Sequence, residues 1–496
     1  MIFSTPIFLF LFLPPVLLLS LFMRREAQNA FLLLASLLFY AWGEGGLVLL
    51  LLGSALGNHC FALGIEKVAG PGRRKALLAA ALGFNLGLLA AFKYAQFIIS
   101  HLQPLLRAVG LPEAIGPGWH QPLGISFFTF MAIAYLVEVY NRVVPAERNF
   151  LHTALFIAFF PSVLAGPIHR FSHLRRQFSE RETTPELLAD GVRRFIIGLG
   201  KKVLLADALG RIVDRVFAIP VPELTAAVAW LGAVGYTLQI FLDFSGYSDM
   251  AIGLGRMFGF RFMENFNYPY VSRSIGEFWT RWHISLSTWL RDFLFLPMAY
   301  AASRRLKADR WLGIRIESWS YYPAMLATMF LCGLWHGAAW TFIAWGVYHG
   351  LFIMLERSAL KTLWKRSGAL LQTAYALAVV VFGWVLFRAE SFAHAAGFWR
   401  SMLGFGQGNG LQFYPSLYLN GEMRIVLAVS LLAALPVASA LPAAIAGLCR
   451  KAGERARPWF SGGYRFLVTF LLLAVLLASA LRLATATYNP FIYFRF

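Results

Sequence analysis

Apolar runs of membrane-crossing length recur from one end of this chain to the other, and that pattern limits the fold more than any motif does. They fall at 2–23, 29–43, 46–65, 76–100, 121–140, 150–166, 226–242, 321–335, 338–354, 370–388, 424–447 and 464–483. Several are short or broken by Gly and Pro. The expectation is an all-α polytopic membrane protein with roughly ten to twelve transmembrane or re-entrant segments. Composition agrees: 59% of the 496 residues are hydrophobic and 14% charged, against about a quarter charged in soluble domains. The first run lacks the basic start and small-residue cleavage site of a signal peptide, so it is expected to remain as a membrane segment, kinked at Pro14 and Pro15.

A net charge of +20 invites a nucleic-acid reading. The distribution argues against one. Basic residues cluster in short connections: Arg24-Arg25; Lys67 with Arg73, Arg74 and Lys75; Arg304, Arg305, Lys307 and Arg310; Lys361, Lys365 and Arg366; Arg450, Lys451, Arg455 and Arg457. This is the positive-inside pattern, which assigns these loops to the cytoplasm, in contact with membrane lipid, and the N-terminus to the outer, periplasmic side of a bacterial inner membrane. Cys60, Cys332 and Cys449 have neither metal-site spacing nor a disulfide framework and are expected to pack as small apolar groups.

No linker or fixed-period repeat divides the chain, so 1–496 is expected to be a single membrane domain. Residues 167–202 suggest amphipathic helices at the cytoplasmic interface. Residues 303–319 form a basic loop, and 403–421 a Gly-rich loop suited to the outer face. Residues 243–350 hold the candidate catalytic core.

Within that core, G-E-F-W-T-R-W-H-I-S-L-S-T-W-L-R-D at 276–292 is expected to be one helix. Trp279, His283, Ser287 and Arg291 would then share a face, with Arg281 nearby. Asp243 and Asp249 precede it in an apolar run. Ionisable groups at membrane depth mark substrate or catalytic sites and need partners there. His336 sits in G-L-W-H-G-A-A-W, among Gly333, Gly337, Ala338 and Ala339, which permit close helix crossings. Histidine suits general-base work near neutral pH. His349 lies 13 residues on, about 220° around a helix, and reads as packing. No G-x-S-x-G elbow and no H-E-x-x-H occurs. His169 and His173 lie among arginines, so no metal is expected. Gly198-Leu-Gly200 and Gly253-Leu-Gly255 read as helix packing, not phosphate loops. From the residues alone, a transporter and a membrane-embedded enzyme both fit. The paired repeats of transporters are not seen.

Many blocks resemble the membrane-bound O-acyltransferase family, in particular its bacterial branch that includes the alginate O-acetyltransferase membrane subunit. They are F-L-F-L-P at 10–14, F-Y-A-W at 39–42, F-K-Y-A-Q-F at 92–97, P-L-G-I-S-F-F-T-F at 122–130 and F-F-P-S-V-L-A-G-P-I-H-R at 159–170. They continue with G-K-K-V-L-L-A-D at 200–207, L-D-F-S-G-Y-S-D-M-A-I-G-L-G at 242–255, F-R-F-M-E-N-F-N-Y-P-Y at 260–270, E-F-W-T-R-W-H-I-S-L-S-T-W-L-R-D at 277–292, G-L-W-H-G-A at 333–338 and the closing F-I-Y-F-R-F.

The resemblance implies a ring of helices around a thin polar centre, with tunnels from both faces, and acyl transfer to a hydroxyl. It places the family's near-invariant histidine on His336 and its second signature position on His283. It implies acetyl-CoA as cytosolic donor with no bound cofactor, a polysaccharide acceptor, and an extracytoplasmic protein that relays the acetyl group. On that view His336 is the general base. His283, aided by Ser287, orients the donor or hydrogen-bonds the oxyanion, while Trp279, Trp282 and Trp335 line an apolar tunnel. Asp243 and Asp249 are structural partners of nearby Arg or His, and Lys201 and Lys202 either meet CoA phosphates or snorkel at the interface. The chain departs from the alginate members after W-L-R-D-F-L-F-L-P. There M-A-Y-A-A-S-R-R-L-K-A-D-R-W-L-G replaces a short Gly-Asn-Arg turn. The acceptor therefore stays open among alginate, cellulose, other exopolysaccharides and peptidoglycan.

Overall fold

The computed structural model describes residues 1–110, 120–305, 310–311, 314–358, 360, 366–437, 457–485 and 491–492. Lys307, Lys361, Lys365, Cys449, Arg450, Lys451 and Arg455 lie outside them, as do the last part of the run 424–447 and all but the first two residues of the closing hexapeptide.

The described chain is almost wholly helical. A π-helical turn, Ile7–Phe12, runs into Leu13–Leu21, whose first turn holds Pro14 and Pro15. The wider π turn accommodates the missing proline N–H groups. Then follow α1 Arg25–Glu44, α2 Val48–Lys67, α3 Pro71–Leu89, α4 Ile125–Tyr140, α5 Pro185–Gly200, α6 Asp207–Phe217, α7 Ala226–Met257, α8 Ile275–Arg281 and α9 Ile284–Leu290. Further along lie α10 Ile316–His336, α11 Trp340–Arg357, α12 Ala369–Arg388, α13 Gly421–Ala434 and α14 Arg457–Thr485, with shorter helices such as Leu296–Arg305 and Phe392–Met402 between them. A two-residue antiparallel pair, Arg310–Trp311 with Ile314–Arg315, precedes α10.

Five helical stretches among the described residues are long and apolar enough to cross a membrane: Arg25–Lys67, Pro71–Ala108, Ala226–Met257, Ala369–Arg388 and Gly462–Thr485. The first is interrupted at Gly45 (φ +55°), the boundary between α1 and α2. Other expected spans lie on helices that are shorter, broken or less apolar. Residues 150–166 form two short buried helices, Phe150–Ala158 and Phe160–Val163.

The centre of the molecule is α7. Its most apolar window is 78% buried, against 6% for that of α14. The reason is a tight glycine crossing. A Cβ on Gly198 would lie 2.5 Å from the Gly246 carbonyl oxygen, and one on Gly191 would lie 2.7 Å from that of Gly253. Close backbone approach seals α5 to α7, in line with the packing reading of Gly198 and Gly253. One face of α5 is accordingly buried on α7, while Val192, Arg193 and Ile197 stay exposed. Beyond Gly200 a π turn, Lys201–Ala206, carries it into α6, which also packs along α7.

Candidate active site

The segment 276–292 is not one helix. Its first half ends at Arg281, and its second starts at Ile284. Between them His283 adopts a left-handed backbone, φ +45° and ψ +53°. A non-glycine residue there is strained by about 1–3 kcal/mol and persists only when its surroundings enforce it. The enforcing contacts come from Asn265. Its backbone oxygen accepts from Ile284 N–H (2.9 Å), and its side-chain Oδ1 accepts from Ser285 N–H (3.2 Å) and Ser285 Oγ (2.9 Å). The same Oδ1 lies 3.1 Å from His283 Nδ1. With the helix broken, Trp279, His283, Ser287 and Arg291 do not form a single stripe. Ser287 Oγ donates to the Trp282 carbonyl (3.1 Å).

His283 is completely buried. Its ring meets Phe244 edge-on (4.6 Å) and lies 6.0 Å from the Trp335 ring. Trp335 in turn is 4.9 Å from the ring of His336, which is packed against Trp345 (5.0 Å) and Phe387 (5.4 Å). The two histidines thus flank Trp335.

His336 is the last residue of α10. Helix C-termini leave carbonyls without intrahelical partners, and here a distant π turn, Ala90–Tyr94, supplies donors. Tyr94 Oη donates to Leu334 O (3.1 Å). Lys93 Nζ donates to Trp335 O (2.5 Å), with His336 O at 3.5 Å and Ser126 Oγ at 3.3 Å. An N–H donor at this end also complements the partial negative charge of the helix C-terminus. On the other side, α11 lies close because Gly333 and Gly346 have no side chains: a Cβ on either would sit 2.3 or 2.1 Å from a carbonyl oxygen of the partner helix.

A cavity of about 740 Å³ opens between α5, α7 and the loop after α7. Phe241, Phe266, Ile197, Leu204 and Ile252 form its apolar wall, and Ser245, Ser248 and Asn265 its polar inner wall. Asn265 therefore links the cavity to His283. Arg193, Arg194, Lys201 and Arg256 outnumber Asp190, Asp249 and Glu264 by one charge in this lining. Asp249 is held by Arg194 (2.9 Å) and Lys201 (2.7 Å), and Arg194 and Arg256 also pair with Glu264 and Asp190 respectively.

Lys202 stands elsewhere. Its buried ammonium lies between Asp207 (2.6 Å) and Asp243 (2.9 Å), away from the cavity wall, so it offers no charge to a phosphate there. Asp243 also accepts the Ile492 N–H (2.8 Å), which anchors the described end of the chain beside α7. The tryptophans stand behind the wall rather than in it. Trp282 backs Phe266 (5.0 Å) and contacts Trp384 (4.8 Å), and Trp279 packs on Trp345 (5.6 Å). His349 is enclosed by Phe278, Trp279 and Trp345. Arg281 pairs with Glu277 (2.9 Å), and the exposed Arg291 with Asp292 (2.7 Å). Asn265, Ser248, Lys93 and Tyr94 escaped sequence reasoning, although F-K-Y-A-Q-F and F-M-E-N-F-N contain three of them.

Two buried histidines flank Trp335 within a helical multi-pass membrane protein, and Asn265, which contacts His283, also lines the neighbouring cavity. Residues 139–393 match the model of the MBOAT, membrane-bound O-acyltransferase, family. A protein of Pseudomonas putida named probable alginate O-acetylase AlgI is 39% identical over 513 residues, covering all of both chains. The peptidoglycan O-acetyltransferase of Helicobacter pylori is 32% identical over 82% of this chain and 80% of its own. The teichoic acid D-alanyltransferase of Bacillus subtilis is 27% identical over 62% of this chain and 80% of its own. The chain belongs to the membrane-bound O-acyltransferase family and is an acyltransferase of the membrane.

Proposed function

We propose that the protein moves an acetyl group from cytosolic acetyl-CoA to hydroxyls of an exopolysaccharide, alginate-like in the first instance, at the outer face of a bacterial inner membrane. The basic connections orient it with its N-terminus in the periplasm. An extracytoplasmic partner relays the acetyl group to the polymer. The observation that carries this reading is the juxtaposition of His283 and His336 about Trp335, with a cavity that ends on the residue holding His283.

The thioester arm occupies the cavity, and the net positive lining favours an anionic donor. His336 takes the proton from the attacking hydroxyl as its oxygen bonds to the thioester carbonyl carbon. The tetrahedral adduct collapses, the C–S bond breaks, and the imidazolium returns the proton to the departing thiolate. A positioned base contributes about 10²–10⁴-fold. Among cavity cations, Lys201 is the one predicted from sequence that remains a phosphate contact, through exchange with Asp249. Asp243, with Lys202 and Asp207, is structural.

Peptidoglycan is the second reading of the acceptor, favoured by the similarity to the Helicobacter pylori enzyme. Alkali-labile acetate on fractionated surface polymers, compared between the native strain and one with His336→Ala at matched protein level, tests the proposal. Loss from one fraction supports it and names the acceptor. Unchanged acetate in every fraction contradicts it and favours transport of an acyl or glycan intermediate.

A further inference from the structure

We propose that Asn265 is a positioning residue that sets the tautomer of His283, so that Nε2 presents a lone pair and His283 accepts a hydrogen bond from a substrate N–H or O–H; this rests on the acyl-transfer reading and deepens it. The orientation of the Asn265 amide follows from its partners. The Ser285 backbone N–H only donates, so the Asn265 atom 3.2 Å from it is the oxygen. The amide nitrogen then faces Ser248 Oγ at 3.1 Å. His283 Nδ1 lies 3.1 Å from that same oxygen and 3.4 Å from Ser285 Oγ, whose proton goes to the nearer Asn265 Oδ1 (2.9 Å), so Nδ1 carries the proton. A neutral imidazole has one N–H, which leaves Nε2 as acceptor. A histidine so held does not donate to a developing oxyanion while neutral. The expected oxyanion role of His283 is thereby replaced by an accepting one.

The surroundings preserve this arrangement. Asn265 is 1% exposed, and its oxygen also receives Ser285 Oγ, so rotation of the amide would break several bonds at once. The strained left-handed backbone of His283 aims the ring at Asn265 and away from the helical stripe that sequence periodicity suggests. When a catalytic histidine is set in the wrong tautomer, rates fall by up to roughly 10⁴-fold.

Two measurements on the full-length protein in lipid nanodiscs test the proposal. Solid-state NMR of ¹⁵N-histidine-labelled protein, with the His283 signals assigned by their loss in His283→Gln, is expected to show a protonated Nδ1 and a bare Nε2. A protonated Nε2 in the neutral ring overturns the proposal and leaves the acyl-transfer reading intact. In acetyl-CoA turnover, Asn265→Leu is expected to lower kcat roughly 100-fold with KM within about threefold. Asn265→Asp keeps an acceptor oxygen and is expected to stay within about tenfold of the native kcat at alkaline pH. An unchanged kcat in Asn265→Leu, a change confined to KM, or equal losses in both variants overturns it. Absence of CoA release by the native protein contradicts the acyl-transfer reading instead. The NMR result needs no Asn265 variant, so a poorly folding Asn265→Leu does not shelter the claim.

Discussion

The two histidines are mounted in opposite ways. His283 sits in a break between two short helices, in a backbone conformation that its own side chain disfavours, and a side-chain amide from another segment holds it. His336 ends a 21-residue helix with Pro323 in its interior, and its position is set through main-chain carbonyls by Lys93 and Tyr94. One ring is controlled by direct contact, the other by fixing the helix end beneath it. This difference teaches where variation is tolerated. The first mount depends on one amide whose hydrogen-bond pattern cannot be mimicked by an apolar side chain. The second depends on the Lys93 amine and the Tyr94 hydroxyl, whose bonds to the helix end go to backbone carbonyls, with Lys93 also reaching Ser126 Oγ.

The largest expected effect is on the base. His336→Ala should lower acetyl transfer roughly 10²–10⁴-fold at normal expression, measured as CoA release by purified protein. Loss of the cap comes next. Lys93→Met should lower kcat roughly tenfold, since leaving a buried acceptor without its donor costs about 1–3 kcal/mol, and Lys93→Arg should recover part of it. A smaller effect separates the mounts by stability. His283→Gly should melt higher than His283→Ala by the few degrees that about 1 kcal/mol gives, because glycine relieves the left-handed strain. His336→Gly, at a helical position, should gain nothing over His336→Ala. Equal behaviour of the two pairs in thermal unfolding would break the comparison. The smallest effect is at Arg291. Its side chain is 59% exposed and pairs at the surface, so Arg291→Ala should leave turnover within about twofold.

Sequence reading located both histidines because each interrupts an apolar, aromatic stretch, and a polar group at membrane depth is conspicuous. It also anticipated that Asp249 would pair with an arginine, though not that Asp243 would pair with a lysine, and that the glycines of α5 and α7 would be packing residues. The break at His283 was not legible. Trp279, His283, Ser287 and Arg291 match helical spacing, and the conformation that disrupts it is imposed by Asn265, 18 residues away. Lys93 was harder still, since the carbonyl it caps is 242 residues distant and a carbonyl leaves no trace in residue type. The tryptophans misled for a different reason. Their apolar size suits a tunnel lining and a packed second layer equally, and only the position of the cavity separates the two.

The most direct test of the central claim is acetyl-CoA turnover by the purified protein in nanodiscs, native against His336→Ala. Release of CoA with acetyl transfer to a supplied hydroxyl acceptor in the native protein, and its near-complete loss in the variant, is the predicted result. Equal turnover in both would contradict His336 as the base.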